Sequence, residues 1–327
     1  MDRPAALVLA PMRGAGWALL QELADCTYDP FVAHTPLHLH SDDELAGRVA
    51  QLGATILVAE ADTVGGATLD QPLLVVGSTR GDPTNVDVAA ATARGIPVLR
   101  APGRNAGAVA EHTIGLIFAA TRHVVASDRD VRRGEIYKDG TIPYQRYRAW
   151  ELRGRTLGIV GLGAIGREVA WRAEGLGMRV LSYDPYAGGA STADLGELLA
   201  AADVVTLHAP VTAGTAGMIG AEQFALMREG AVFVNAARAA LHDQDALVAV
   251  LTSGHLSSAA LDHFPHEWLD PASPLAQLPN VVLTPHTGGA TYDTEANHSR
   301  TIADGIAALL RGERPATIVN PEVLEGR

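Results

Sequence analysis

The chain has 327 residues, enough for two domains, and its 47% hydrophobic and 19% charged residues are those of a folded globular protein. A formal net charge of −12 argues against nucleic acid or an anionic membrane as partner, since both need a basic face. Cys26, the only cysteine, excludes an intrachain disulfide and a cysteine metal cluster; Lys138, the only lysine, lies in GEIYKDG, which suits neither a Schiff-base enzyme nor a P-loop phosphotransferase.

The opening MDRPAALVLAPMRG reads as a first strand, its apolar stretch being too short for a signal sequence. No window of about 18 uncharged apolar residues predicts a membrane span, so a cytoplasmic protein is expected. Runs of strand length follow at TILVAE (55–60), PLLVVGS (72–78), TLGIVG (156–161), MRVLSYD (178–184), DVVTLH (203–208), AVFVNA (231–236), SSAALD (257–262) and NVVLTP (280–285). Between them lie helical stretches such as 85–95, 165–177, 194–203 and 244–254, most ending on Gly. Strands apolar on both faces and joined by helices predict an α/β protein with doubly wound parallel sheets. NAGAVAEHTIGLIFAATRHVV (105–125) predicts one long apolar helix buried between domains or subunits. An extended arm over 132–154 is expected after it, and a last helix over 292–310.

VGLGAIG (160–166) follows a strand and opens a helix. Gly161, Gly163 and Gly166 form G-x-G-x-x-G, which gives a tight turn, close approach of the backbone to a pyrophosphate, and close helix–strand packing. The free amides of the helix start, around Ala164 and Ile165, point at the phosphates. Asp184, 18 residues after Gly166, ends the next strand where a carboxylate accepts from the ribose hydroxyls of NAD and repels the phosphate of NADP. NAD is the expected cofactor.

Three polar stretches follow later strands, at the sheet ends where α/β proteins hold ligands: NAAR to Arg238, LDHFPHE to Glu267, and LTPHTGG with His286. Arginine can clamp the carboxylate of a 2-keto acid and polarise its carbonyl. Histidine can deliver the proton that the resulting alkoxide needs, and a neighbouring glutamate favours its charged form.

From GIPVLRAPGRNAGAVAEHTIG (95–115) through ELRGRTLGIVGLGAIG (151–166) and VVTLHAPVTAGTAGMIG (204–220) to VVLTPHTGGAT (281–291), the sequence resembles the D-isomer-specific 2-hydroxyacid dehydrogenases. The resemblance implies two Rossmann-like domains: a flavodoxin-like substrate domain, 1–103 with 293–327, and an NAD-binding Rossmann domain, 104–292, whose segment 105–150 forms a homodimer. It implies Arg238, Glu267 and His286 as the catalytic set. His208 and Asp262 match positions lining the nicotinamide pocket, and Pro210, Ala236 and Gly288 are expected beside the cofactor. The substrate loop is expected at VGSTRGDPTNVD (76–87), with Ser78, Thr79, Arg80 and Gly81, and Arg104 nearby. Either Arg80 or Arg104 meets a second anionic group on the substrate, or Arg80 simply pairs with Asp82 or Asp87 at the surface.

Three positions depart from the family pattern: Ala239 replaces a glycine, Trp268 a proline and His263 a common valine. Ala239 is harmless if its φ is negative; Trp268 is expected near the rim of the site. The histidines are scattered along the sequence, so no metal is expected. Oxidation of an unusual anion such as phosphite or a hydroxyphosphonate is the rival activity. A corepressor-type NAD-binding protein is the rival class, although the partner-binding segments usual in such proteins are not seen.

Overall fold

The computed structural model describes residues 3–192 and 194–325. The chain divides into two compact units, Met1–Asn105 with Thr291–Arg327, and Ala106–Ala290.

The first unit is built on five parallel strands, β1 (Ala5–Val8), β2 (Asp25–Tyr28), β3 (Ile56–Ala59), β4 (Val75–Ser78) and β5 (Val98–Leu99), in the order β2-β1-β3-β4-β5. This is the flavodoxin order. All four residues of β3 and of β4 are buried, as both faces of the sheet are covered by helices. The chain returns to this unit through the helix Tyr292–Leu310, which packs on the helix Gly14–Leu23. A Cβ on Gly16 would lie 2.2 Å from the backbone N of Arg300, so only glycine lets these two helices approach so closely.

The second unit has six parallel strands, β6 (Thr156–Val160), β7 (Arg179–Tyr183), β8 (Val204–Leu207), β9 (Ala231–Asn235), β10 (Leu256–Leu261) and β11 (Val281–Leu283), ordered β11-β10-β9-β8-β6-β7. A single bridge, Tyr183 to Thr192, continues the sheet beyond β7. Counting it as a vestigial strand gives the Rossmann order, with the reversal between β6 and β8. Phe233 of β9 meets Phe224 edge-on, centroids 5.1 Å apart, in the core on one face of the sheet. No helix of the described residues is long and apolar enough to cross a membrane.

The long apolar helix differs from expectation. It runs only over Ala106–Thr121; His123 adopts a left-handed backbone (φ 55°) and a second helix, Val124–Arg132, begins. Its buried face, including Val109, Leu116 and Ile117, packs within this unit against β9, β10 and the helix Ala164–Gly175, rather than requiring another domain or subunit. The arm that follows contains one short helix, Pro143–Arg146, whose Arg146 donates to the carbonyls of Glu135, Ile136 and Thr141.

Candidate active site

In the second unit every strand from β6 to β11 delivers a polar segment at its carboxyl end. After β6, Gly161 turns at φ 99°, and a Cβ there would stand 2.5 Å from the N of Ala209. A Cβ on Gly166 would stand 2.1 Å from the Gly161 carbonyl oxygen. Gly163 differs: its Cβ would meet nothing within 4 Å, so this side of the loop is an open cradle. The N–H groups of Gly163, Ala164 and Ile165, at the start of the helix Ala164–Gly175, have no acceptor among the described residues. Open space together with unclaimed amides fits the pyrophosphate of a dinucleotide.

Asp184 follows β7. Its carboxylate accepts from the N–H of Leu162 at 2.8 Å and from those of Tyr186 and Ala187 at 2.9 Å. Burial raises its pKa, but these three donors outweigh it and hold the group below the ordinary aspartate value. The acid therefore stays ionised while pinning the glycine loop.

Two expected cofactor contacts are engaged inside the protein. His208, after β8, is buried and shares a 3.0 Å hydrogen bond with the Thr206 hydroxyl; burial alone pushes its pKa down to about 3, so it is neutral. Asp262, after β10, accepts from the Thr284 hydroxyl and the N–H groups of Thr287 and Gly288, with His112 Nε2 at 3.3 Å. Desolvation opposes its charge, but these donors prevail and keep it well below the usual range. Asp262 thus latches β10 to the loop that carries His286. Gly288 is tied to the same latch, because its Cβ would crowd the Asp262 Oδ2 at 3.0 Å. Ala236 is buried and Pro210 is exposed, its carbonyl accepting from the Thr215 hydroxyl.

Arg238 sits after β9 on a turn fixed by Asn235. The amide oxygen of Asn235 accepts from the N–H of Ala237 and of Arg238, and its NH₂ donates to the Arg238 carbonyl at 2.8 Å. Sequence reasoning missed this role of Asn235, although N-A-A-R, a polar residue closing an apolar strand, carried the signal. The Arg238 side chain is exposed, donates to the Ala237 carbonyl at 2.6 Å and has no carboxylate partner among the described residues. Ala239, the first residue of a 3-10 turn, is not left-handed, so its replacement of glycine leaves the turn unstrained. Arg238 lines a cavity of about 360 Å³ with Val211, His242, His263, Phe264 and His266.

His286 Nδ1 lies 2.9 Å from Glu267 Oε1. Both residues hold left-handed backbones (φ 54°), as does His266 (φ 55°), a conformation that costs non-glycine residues on the order of 1 kcal/mol each. His263 is buried and packs against His286 with ring centroids 3.8 Å apart and planes tilted by 52°; burial, then the neighbouring His286 and Arg238, lower its pKa to about 4. The fold thereby gathers two histidines that are far apart in sequence, with donor atoms of His263, Glu267 and His286 all within 4.8 Å of one another. Trp268 is exposed.

The expected substrate residues lie in the first unit, at the end of β4 and after β4 and β5. The buried Ser78 hydroxyl donates to Asn85 at 2.8 Å, and that of Thr79 to Glu60 at 2.9 Å. Arg104 pairs with Glu60 and contacts His298 Nδ1 at 2.8 Å, so its charge is already met. Arg80 donates to the Glu60 carbonyl and the Thr84 hydroxyl and pairs with neither Asp82 nor Asp87. Gly81 has room for a Cβ in ordinary contact.

Residues 114–288 match the family model described as D-isomer specific 2-hydroxyacid dehydrogenase, NAD binding domain. The chain is 41% identical over 250 residues to a glyoxylate reductase of Korarchaeum cryptofilum, covering 74% of this chain and 75% of that one. It is 38% identical over 260 residues to a D-3-phosphoglycerate dehydrogenase of Archaeoglobus fulgidus, covering 77% of this chain but 48% of the relative. The chain therefore spans about half the length of such phosphoglycerate dehydrogenases. Among solved structures, a protein from Thermus thermophilus aligns with TM-score 0.82 and 34% identity over 96% of this chain and 99% of that one. The D-mandelate dehydrogenase of Rhodotorula graminis aligns with TM-score 0.80 and 26% identity, over 97% and 98% of the two chains.

Proposed function

Because the chain belongs to the D-isomer specific 2-hydroxyacid dehydrogenases and carries their NAD-binding domain, we propose that it interconverts a small 2-keto acid and the D-2-hydroxy acid, using NAD rather than NADP. The observation that carries this reading is an exposed arginine with no carboxylate partner among the described residues, in the same unit as a histidine whose Nδ1 is held by a glutamate.

Gly161, Gly163, Gly166 and the amides of Ala164 and Ile165 would hold the pyrophosphate, and Asp184 the adenosine ribose. When bound, the reduced cofactor supplies a hydride, one proton with two electrons, to the carbonyl carbon. Arg238 holds the substrate carboxylate and polarises the carbonyl oxygen with its fork of donors. An ionised Glu267 can only accept, so the proton of the 2.9 Å contact sits on His286 Nδ1, which leaves Nε2 to face the substrate. In reduction, Nε2 gives its proton to the oxygen that becomes the hydroxyl; in oxidation it takes that proton back. A homodimer formed through the arm belongs to the same reading. It is supported by exposed apolar side chains there, among them Val131, Tyr137, Tyr144 and Trp150.

The test is loss of NADH absorbance with glyoxylate, hydroxypyruvate, pyruvate, 2-ketoglutarate, phosphohydroxypyruvate and phosphonopyruvate. Turnover of at least one is expected. Tight NADH binding without turnover of any would overturn the reading.

A further inference from the structure

His263 is buried, lines the cavity beside Arg238, and has no hydrogen bond to its ring among the described residues. Neither ring nitrogen of His263 is among the fully buried polar atoms, so both keep access to the open space of the cavity, where a ligand can reach them. Across from it stand His286 and Glu267, and the three donor atoms lie within 4.8 Å of one another.

We propose that His263, Glu267 and His286 form a site for a divalent transition ion of the zinc class. Its inhibitory consequence rests on the dehydrogenase reading, since the ion would withdraw His286 from proton transfer.

Two imidazole nitrogens and one carboxylate oxygen are a donor set that zinc takes readily, with a fourth position left for water or a small ligand. Hard cations such as magnesium and calcium prefer all-oxygen sets, so the two nitrogens select against them. Bonds of about 2.1 Å at tetrahedral angles put donors about 3.4 Å apart. The 2.9 Å between His286 and Glu267 would have to open slightly and the wider separations, at most 4.8 Å, to close, adjustments made by two exposed side chains at the cost of their mutual hydrogen bond. Charge permits the ion. Arg238 opposes it, but Glu267 and Asp262 supply two negative charges near His263 against that one positive charge.

The experiment titrates the full chain with zinc chloride in a calorimeter and with cobalt chloride in a spectrophotometer. One ion per chain is expected, with the visible absorption of tetrahedral cobalt. In His263→Val both affinity and absorption should fall by at least about 10-fold, since even the loss of a ligand's hydrogen-bonding partner costs that much. Glu267→Gln changes an exposed residue and should weaken binding similarly, which keeps the test decisive if the valine variant does not fold. Equal affinity in wild type and both variants would overturn the site. Zinc should also slow keto-acid reduction in the wild type, reversibly with a chelator, and slow His263→Val less relative to its own metal-free rate. Binding without slowing would overturn the inhibitory role and leave the site. Absence of any keto-acid turnover would sink the dehydrogenase reading while the binding result stood.

Discussion

At the carboxyl ends of β3 and β4 in the first unit, polar side chains satisfy one another. Glu60 accepts from Arg104 and Thr79, Ser78 donates to Asn85, and Asp62 Oδ1 meets the N–H and the ring Nδ1 of His40, although Asp62 Oδ2 is buried without a partner. At the same ends of β9, β10 and β11 in the second unit, Asn235 and Asp262 satisfy backbone and anchoring groups, and among the described residues Arg238 meets no carboxylate and the outer nitrogen of His286 no partner. Two parallel sheets of related architecture therefore treat the same position in opposite ways. The first uses its strand ends to hold shape, and the second uses buried anchors so that other groups stay available. Substitutions at the two places should fail differently.

The largest effect is expected in the second unit. Arg238→Ala should lower kcat/KM for any 2-keto acid by about 10³-fold, the scale of losing an oriented donor at a developing oxyanion, while NADH affinity and Tm hardly move. A collapse of Tm instead would show that Arg238 holds shape after all. Next, Glu60→Gln should destabilise the first unit by about 3 kcal/mol, because it strands the Arg104 charge in a largely buried setting. Urea unfolding followed by Trp17, the one tryptophan of that unit, reads this, with NADH affinity in the second unit as the control expected to stay fixed.

Acid should separate the units less sharply. Burial lowers His208 to about 3, and it lowers His242 to about 4, from 6.5 in the unfolded chain. Above pH 6.5 neither state holds a proton on these rings and their contribution is intact. Below it the unfolded chain takes protons that the folded one refuses, so stability falls from pH 6.5 to about 4, by about 1.4 kcal/mol per pH unit for each histidine. In the first unit burial lowers His298, whereas Asp29, Asp42 and Glu60, also lowered, keep their contribution until the pH reaches the carboxylate range. Urea midpoints of single-tryptophan variants at pH 7 and pH 5 should fall further for the second unit, and His208→Asn should reduce that fall. Parallel losses would break the comparison. The smallest effect concerns Arg80, a cation of the first unit with no carboxylate partner among the described residues. Arg80→Met should raise KM by up to about 10-fold for a keto acid bearing a second anionic group and leave glyoxylate unchanged.

Much of this was legible from sequence for a physical reason. Runs such as TILVAE and AVFVNA are buried on both faces, so apolar continuity alone marks them as parallel strands. Strand β2, DCTY, has no fully buried residue and left no such mark. The helix Asp42–Leu52 carried a signal that went unread: Ser41 and Glu44 form a capping box, and Gly53 ends the helix at φ 57°. The break at His123 had only a weak one, because histidine enters the left-handed region more often than most residues but far less often than glycine. In the site, the glycine loop announced itself through spacing. What stayed hidden was pairing across long separations: Arg104 with Glu60, Asp262 with Thr284 and Gly288, and His263 against His286. No local pattern encodes which distant partner a buried polar group meets.

The missing counter-charge of Arg238 also bears on how the protein behaves in a test tube. An exposed cation lining a cavity, with no carboxylate partner among the described residues, is expected to attract whichever small oxyanion is abundant. Phosphate and sulfate buffers then act as competitors, and an apparent KM measured in them reflects the salt as much as the substrate. Buffer composition becomes a variable of the enzyme, to be fixed before any two keto acids are ranked.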